Sequence, residues 1–127
     1  MNKTNRKGFT LAELLIVVAI IAVLVAIAIP VFNAQKLKAE IAVDQANIRA
    51  YYSELQLNFI ETRKIDDSKL HDIDATYSNG LTTLVLSGTT IELKAGTYWV
   101  RKLSDDLGYN ILYYSKKGNV SLIFPED

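Results

Sequence analysis

From Phe9 to Phe32 the chain runs for 24 residues with only Thr10 and Glu13 polar. A segment that apolar has few places to go. As a helix it is about 36 Å long, enough to cross a hydrocarbon core of about 30 Å with some tilt. Isoleucine, valine and alanine dominate it, and the β-branched residues among them weaken a helix in water. In hydrocarbon no water is left to satisfy backbone N–H and C=O groups, so a lone spanning segment is helical. The carboxylate of Glu13 needs a reason, because a charged side chain at membrane depth costs about 2.5–3.5 kcal/mol on the mildest scale.

The flanks predict a direction. Lys3, Arg6 and Lys7 are the only charges ahead of the run, which keeps the amino terminus cytoplasmic and puts everything after the run outside. A cleaved secretory signal is the alternative. Ala26 and Ala28 mimic its small-residue cut site, but its apolar core is normally only about 7–15 residues long. Pro30 removes one helical hydrogen bond and crowds the preceding turn. A kink or loosened stretch is therefore expected near Ala26–Pro30, either as a point of bending or as a mark of the membrane exit.

The stretch Lys7-Gly8-Phe9-Thr10-Leu11-Ala12-Glu13-Leu14-Leu15, its apolar continuation and Pro30 resemble the amino terminus of type IV prepilins and pseudopilins. The match covers about the first quarter of the chain. Ala12 stands where many members have valine. The resemblance implies a leader, residues 1–8, cut after Gly8 on the cytoplasmic side by a membrane prepilin peptidase that also methylates the new amino terminus at Phe9. It implies an assembly role for Glu13 and Pro30, a homo-oligomeric helical filament, and an inner-membrane assembly platform as a further partner. The residues agree independently. Glycine puts no side chain in the way of a peptidase. After cleavage the cationic amine of Phe9 lies one helical turn from Glu13, and the amine of a neighbouring copy can lie equally near. Either pairing offsets the cost of the buried acid. The plainer role is that Glu13 only neutralises its own amine and the positive helix end, worth about 0.3–1 kcal/mol.

Beyond Pro30, Ala34, Leu37, Ile41, Ile48, Tyr52, Leu55 and Phe59 recur at helical spacing and predict one amphipathic stripe. The helix is expected to end near Arg63 or Lys64, cations that suit a helix carboxy end. Residues 65–80 read as a loop closed by Asn79-Gly80. Strands are expected over Leu81–Leu86, Thr90–Lys94, Thr97–Leu103, Tyr109–Ser115 and Val120–Phe124, separated by Ser87-Gly88, Ala95-Gly96, 104–108 and 116–119. Tyr98, Val100, Tyr109, Ile111, Tyr113, Val120, Leu122 and Phe124 alternate as one face, which the helix stripe is available to cover. The expected fold is α+β: one long amino-terminal helix packed on a small carboxy-terminal antiparallel sheet. Its parts are the leader 1–8, a transmembrane and assembly segment 9–32, an amphipathic continuation 33–64 and a head 65–127.

Composition narrows the function. The formal charge is +0, and removing the leader leaves eleven basic against fourteen acidic side chains, a net of −3. That balance gives no evidence for nucleic-acid binding. There is no cysteine, so the exported head has no disulfide, although many members of the resembled family carry one. The departure leans toward a pseudopilin or a pilin of a Gram-positive cell. His71 is the only histidine and reads as a solvated loop residue. No phosphate loop, zinc spacing or nucleophile elbow is present, so no enzyme is expected. No cofactor is expected either. The acids Asp66, Asp67, Asp72 and Asp74, and a second group of Asp105, Asp106 and Asp127, have the oxygen chemistry for Ca²⁺ but not its loop spacing, and acidic surface loops usually serve solubility. Asn119-Val120-Ser121 fits a glycosylation acceptor by chance. The seven tyrosines suit half-buried strands rather than an adhesive stack. The expectation is a type IV pilus subunit, held in the cytoplasmic membrane with its amino terminus inside and then displayed in an extracellular fibre. The alternatives are a major pseudopilin of a type II secretion or competence system and, from another class, a solitary membrane-anchored extracytoplasmic binding domain.

Overall fold

The computed structural model describes residues 8–104 and 107–125. Lys3, Arg6 and Lys7 of the expected leader, and Asp105, Asp106 and Asp127 of the second acidic group, lie outside the described residues. The chain divides into two units, Met1–Gln35 and Lys36–Asp127.

The first unit is the amino-terminal part of helix α1, Leu11–Thr62. Part of α1 is long and apolar enough to cross a membrane, and none of that stretch is buried. Helical structure runs through Pro30 without interruption. The expected weakening near Ala26 therefore does not break the helix, although proline still lacks the N–H that the Ala26 carbonyl would accept.

The second unit contains the rest of α1 and five strands: β1 Thr83–Leu86, β2 Thr89–Glu92, β3 Thr97–Lys102, β4 Tyr109–Ser115 and β5 Val120–Phe124. All pairings are antiparallel, in register Leu84↔Ile91, Val100↔Ile111 and Tyr113↔Leu122. Ser87 and Gly88 both have positive φ, 49° and 81°, the backbone that closes a tight two-residue hairpin between twisted strands. The expected single sheet is corrected to two, a β1–β2 hairpin and a β3–β4–β5 sheet. Leu81 leaves the hairpin because it pairs with β3 instead, exchanging both backbone bonds with Tyr98 at 2.9 and 3.0 Å. His71 bridges Val100 in the same way. The expected loop thus covers the free edge of β3, and it also contains a short 3₁₀ turn, Asp67–Lys69.

The helix end falls at Thr62 rather than at Arg63 or Lys64. Arg63 takes a left-handed φ of 56°, and its N–H bonds the Phe59 carbonyl at 2.7 Å. That closes the helix in the manner usually left to glycine.

The residues buried on the helix are Ile41, Asp44, Ile48, Tyr51 and Leu55. Their spacing of 3, 4, 3 and 4 is a stricter stripe than expected. Tyr51 replaces Tyr52 at its centre, while Tyr52 stacks at the margin on Phe124 at 5.6 Å. Opposite lie Tyr98, Val100, Tyr109, Ile111 and Tyr113, all buried, with Val120, Leu122 and Phe124 packed at the edge. The alternation read from the strands holds for this face. Burying each large side chain contributes about 1.5–3 kcal/mol.

Candidate assembly and processing site

Gly8, Phe9, Thr10 and Glu13 lie together at the start of α1; Pro30 lies some 25 Å further along at helical rise. A Cβ built on Gly8 meets nothing within 4 Å. The fold therefore places no demand for glycine there, in contrast to Gly96, where a Cβ would press on the Tyr113 ring at 2.6 Å. Phe9 is 88% exposed. Neither residue is held by packing within the chain.

Glu13 has a local partner that charge alone did not reveal. The Thr10 N–H donates to its Oε2 at 3.1 Å, and the Glu13 N–H donates to Thr10 Oγ1 at 3.2 Å. This reciprocal pair is a capping box, with Thr10 at the cap and Glu13 three residues on. It satisfies two amide donors that the first helical turn leaves open. The spacing Thr10-Leu11-Ala12-Glu13 made it legible in the sequence. One carboxylate oxygen remains unengaged by this pair, so capping and a second cationic partner are geometrically compatible.

The helix is tied to the head by side chains that sequence reasoning missed. Asp44 is fully buried. Its carboxylate accepts the backbone N–H groups of Lys94, Ala95 and Gly96 at 2.8, 2.7 and 3.1 Å and the Tyr113 hydroxyl at 2.9 Å. It thereby fixes the β2–β3 turn against α1. From the other side Ser115 Oγ donates to the Ala95 carbonyl at 2.7 Å. Gln56 Oε1 accepts the Tyr109 N–H at 2.9 Å, and Glu54 Oε2 accepts the Ser87 N–H at 3.0 Å. Gly108, at φ 126°, lets the chain pass close to the Gln56 carboxamide. The only hint of Asp44 in the sequence is the missing apolar residue between Ile41 and Ile48, a stripe position filled by an acid.

Burial first, and the neighbouring Asp44 carboxylate second, push the Tyr113 hydroxyl well above its ordinary pKa. Burial and then Tyr51 do the same to Tyr98, which packs edge-on against Tyr51 at 5.8 Å and donates its hydroxyl to the Thr83 carbonyl at 2.8 Å.

Among the described residues no three His, Cys, Asp or Glu side chains are gathered as a metal would require. Asp66 accepts from Ser68, Asp74 accepts from Thr76 and Ser78, and Asp72 pairs with Arg101 at 2.8 Å. His71 contacts the Asn79 carbonyl through Nε2, which makes it part of the loop's own bonding rather than a solvated side chain.

The family model for the prokaryotic N-terminal methylation motif matches residues 3–29. The chain is 42% identical over 66 residues to the type IV major pilin protein PilA of Myxococcus xanthus (strain DK1622). That match covers 52% of this chain and 30% of the relative, so the chain spans less than a third of the curated protein it resembles. No solved structure matches. Residues 3–29, at the head of an apolar helix, thus carry the prokaryotic N-terminal methylation motif, and about half of the chain is similar to a type IV major pilin.

Proposed function

We propose that this chain is the structural subunit of a type IV pilus filament. The observation that carries the reading is that, between Phe9 and Phe32, every Leu, Ile, Val and Phe side chain is at least 45% exposed. Such a surface needs hydrocarbon around it while the subunit is stored, and the same surface of other copies once the filament is built. Exchanging lipid for neighbouring helices keeps it dry, so packing and polar pairing decide association. The leader, residues 1–8, is removed by a prepilin peptidase after Gly8, and the new terminus at Phe9 is methylated. Residues 9–32 form the membrane and then the assembly segment, and the remainder is displayed. Glu13 caps its own helix and pairs with the amine of an adjacent copy. Pro30 supplies the point at which a packed helix can stretch. Before assembly the amino terminus faces the cytoplasm; afterwards the fibre is extracellular. The role is structural, not catalytic.

Mass spectrometry of sheared surface filaments tests this reading. The expected terminal residue is N-methyl-Phe9, and Gly8→Leu is expected to leave an uncut membrane precursor. Glu13→Gln separates the two roles of the acid, since glutamine still serves a capping box but carries no charge. Poor assembly of Glu13→Gln supports intersubunit pairing, and normal fibres from it would reduce Glu13 to a cap. A chain that retains Met1–Gly8 in native cells overturns the reading.

A further inference from the structure

The face of the β3–β4–β5 sheet turned away from α1 carries Trp99, Leu112, Tyr114 and Ile123 by strand alternation. The loop covers Trp99, whose Nε1 donates to Asn79 Oδ1 at 2.7 Å. It leaves the rest open, with Ile123 51% exposed.

The loop also presents Tyr77. This residue sits at a left-handed φ of 57°, a rare and costly conformation for a bulky side chain, and its ring is 59% exposed. Asp74 holds it there. Asp74 Oδ1 accepts the N–H groups of Thr76 and Ser78 at 3.1 and 2.9 Å, Oδ2 accepts Ser78 Oγ at 2.7 Å, and its carbonyl accepts the Tyr77 N–H at 3.2 Å. The Tyr77 ring stands edge-on to Trp99 at 6.1 Å. An aromatic side chain is thus fixed in a strained, solvent-facing pose.

Tyr77 and Tyr114 both line a cleft of about 770 Å³ floored by Leu112 and Ile123, and both line an adjoining cleft of about 610 Å³. Lys94, Lys116 and Lys117 stand around the second cleft, and Lys116 is shared by both. Among the described residues neither cleft is lined by Asp or Glu, and none of these three lysines has an ion-pair partner. In a chain whose mature side chains sum to −3, this is a local concentration of unmatched positive charge.

We propose that this face binds an acidic oligosaccharide, a sugar chain bearing carboxylates. The Tyr77 and Tyr114 rings offer flat apolar faces to sugar rings, Ser121 at the rim offers a hydroxyl, and the lysines meet the carboxylates. A nucleic-acid strand suits the site less well. It needs a basic groove that tracks its backbone over several nucleotides, whereas here three lysines line two short adjoining clefts, a number that matches the carboxylates of a trisaccharide. The site is independent of the assembly segment, so its failure and that of the filament reading are separable.

The test uses the full mature chain in detergent micelles, titrated with trigalacturonate and with neutral maltotriose. Saturable binding of trigalacturonate alone is expected, weakening as salt rises and screens the lysines. Tyr77→Ala is expected to lower affinity about tenfold, and Tyr77→Phe to restore it. Lys116→Gln with Lys117→Gln is expected to lower affinity about tenfold and to flatten the salt dependence. Lys36→Gln, outside the site, is expected to change nothing. Circular dichroism checks that each variant is folded. Absence of saturable binding, equal binding of maltotriose, or full affinity in Tyr77→Ala would overturn the proposal. So would tighter binding of a short oligothymidylate that the same variants abolish, which would assign the face to nucleic acid.

Discussion

Between Leu14 and Phe32 no Leu, Ile, Val or Phe side chain is less than 45% exposed, whereas Ile48 of the same helix is completely buried. Both stretches are α-helical and belong to one element, yet they solve opposite problems. The first has apolar side chains all round and, past Glu13, no side-chain hydrogen bond to a neighbour. A segment of that kind is stable only where the medium is apolar. The second has one apolar stripe and three polar side chains, Asp44, Glu54 and Gln56, that reach backbone groups of the head. The difference shows how a head without cysteine is held to its helix: a buried carboxylate and a carboxamide accept backbone N–H groups of the β2–β3 turn and of the start of β4.

The largest expected effect follows from Asp44. Asp44→Ala leaves three backbone donors and the Tyr113 hydroxyl without their acceptor, and each buried unsatisfied group costs about 1–3 kcal/mol. A loss of about 3 kcal/mol or more is expected in denaturant unfolding of the head, with membrane insertion unchanged. A loss below about 1 kcal/mol would mean that water replaces the carboxylate and that the second stretch does not depend on its polar ties to the head.

The next effect is one of pH. Tyr113 and Tyr98 have folded pKa values raised above the unfolded value of about 10, mainly by burial. Folding therefore favours their protonated forms. Their contribution is fully present below about pH 10 and is lost as pH rises through the folded values. Alkaline titration followed by circular dichroism is expected to unfold the head above about pH 10 while the apolar helix in micelles keeps its signal.

Gln56→Ala removes the acceptor of the half-buried Tyr109 N–H, and about 1–2 kcal/mol is expected in the same unfolding measurement. The smallest effect belongs to the bare stretch. Ile20→Ala is expected to change head stability by less than about 0.5 kcal/mol, the range of surface substitutions away from special features. A larger change would show that residues of the first stretch pack within the monomer.

Much of this was legible beforehand. The five strands fell close to their expected places because Ser87-Gly88, Ala95-Gly96 and Lys116–Asn119 announce their turns through local backbone preference. The Thr10–Glu13 capping box is equally local, since its two members stand three residues apart. Asp44 was not legible as a clamp. Its donors lie 50 to 52 residues away, and Tyr113 lies 69 away. Nor was the role of the loop, which pairs His71 and Leu81 with β3 and shields Trp99.

The amino-acid sequence by itself determined the apolar helix, its charged entrance and the run of hairpins, since periodicity and turn chemistry act between residues close along the chain. Tertiary structure alone decided which acid is buried as an acceptor, which edge of β3 the loop covers, and where Tyr77 is displayed. Those outcomes depend on hydrogen-bond donors and ring faces that distant segments bring to within a few ångströms.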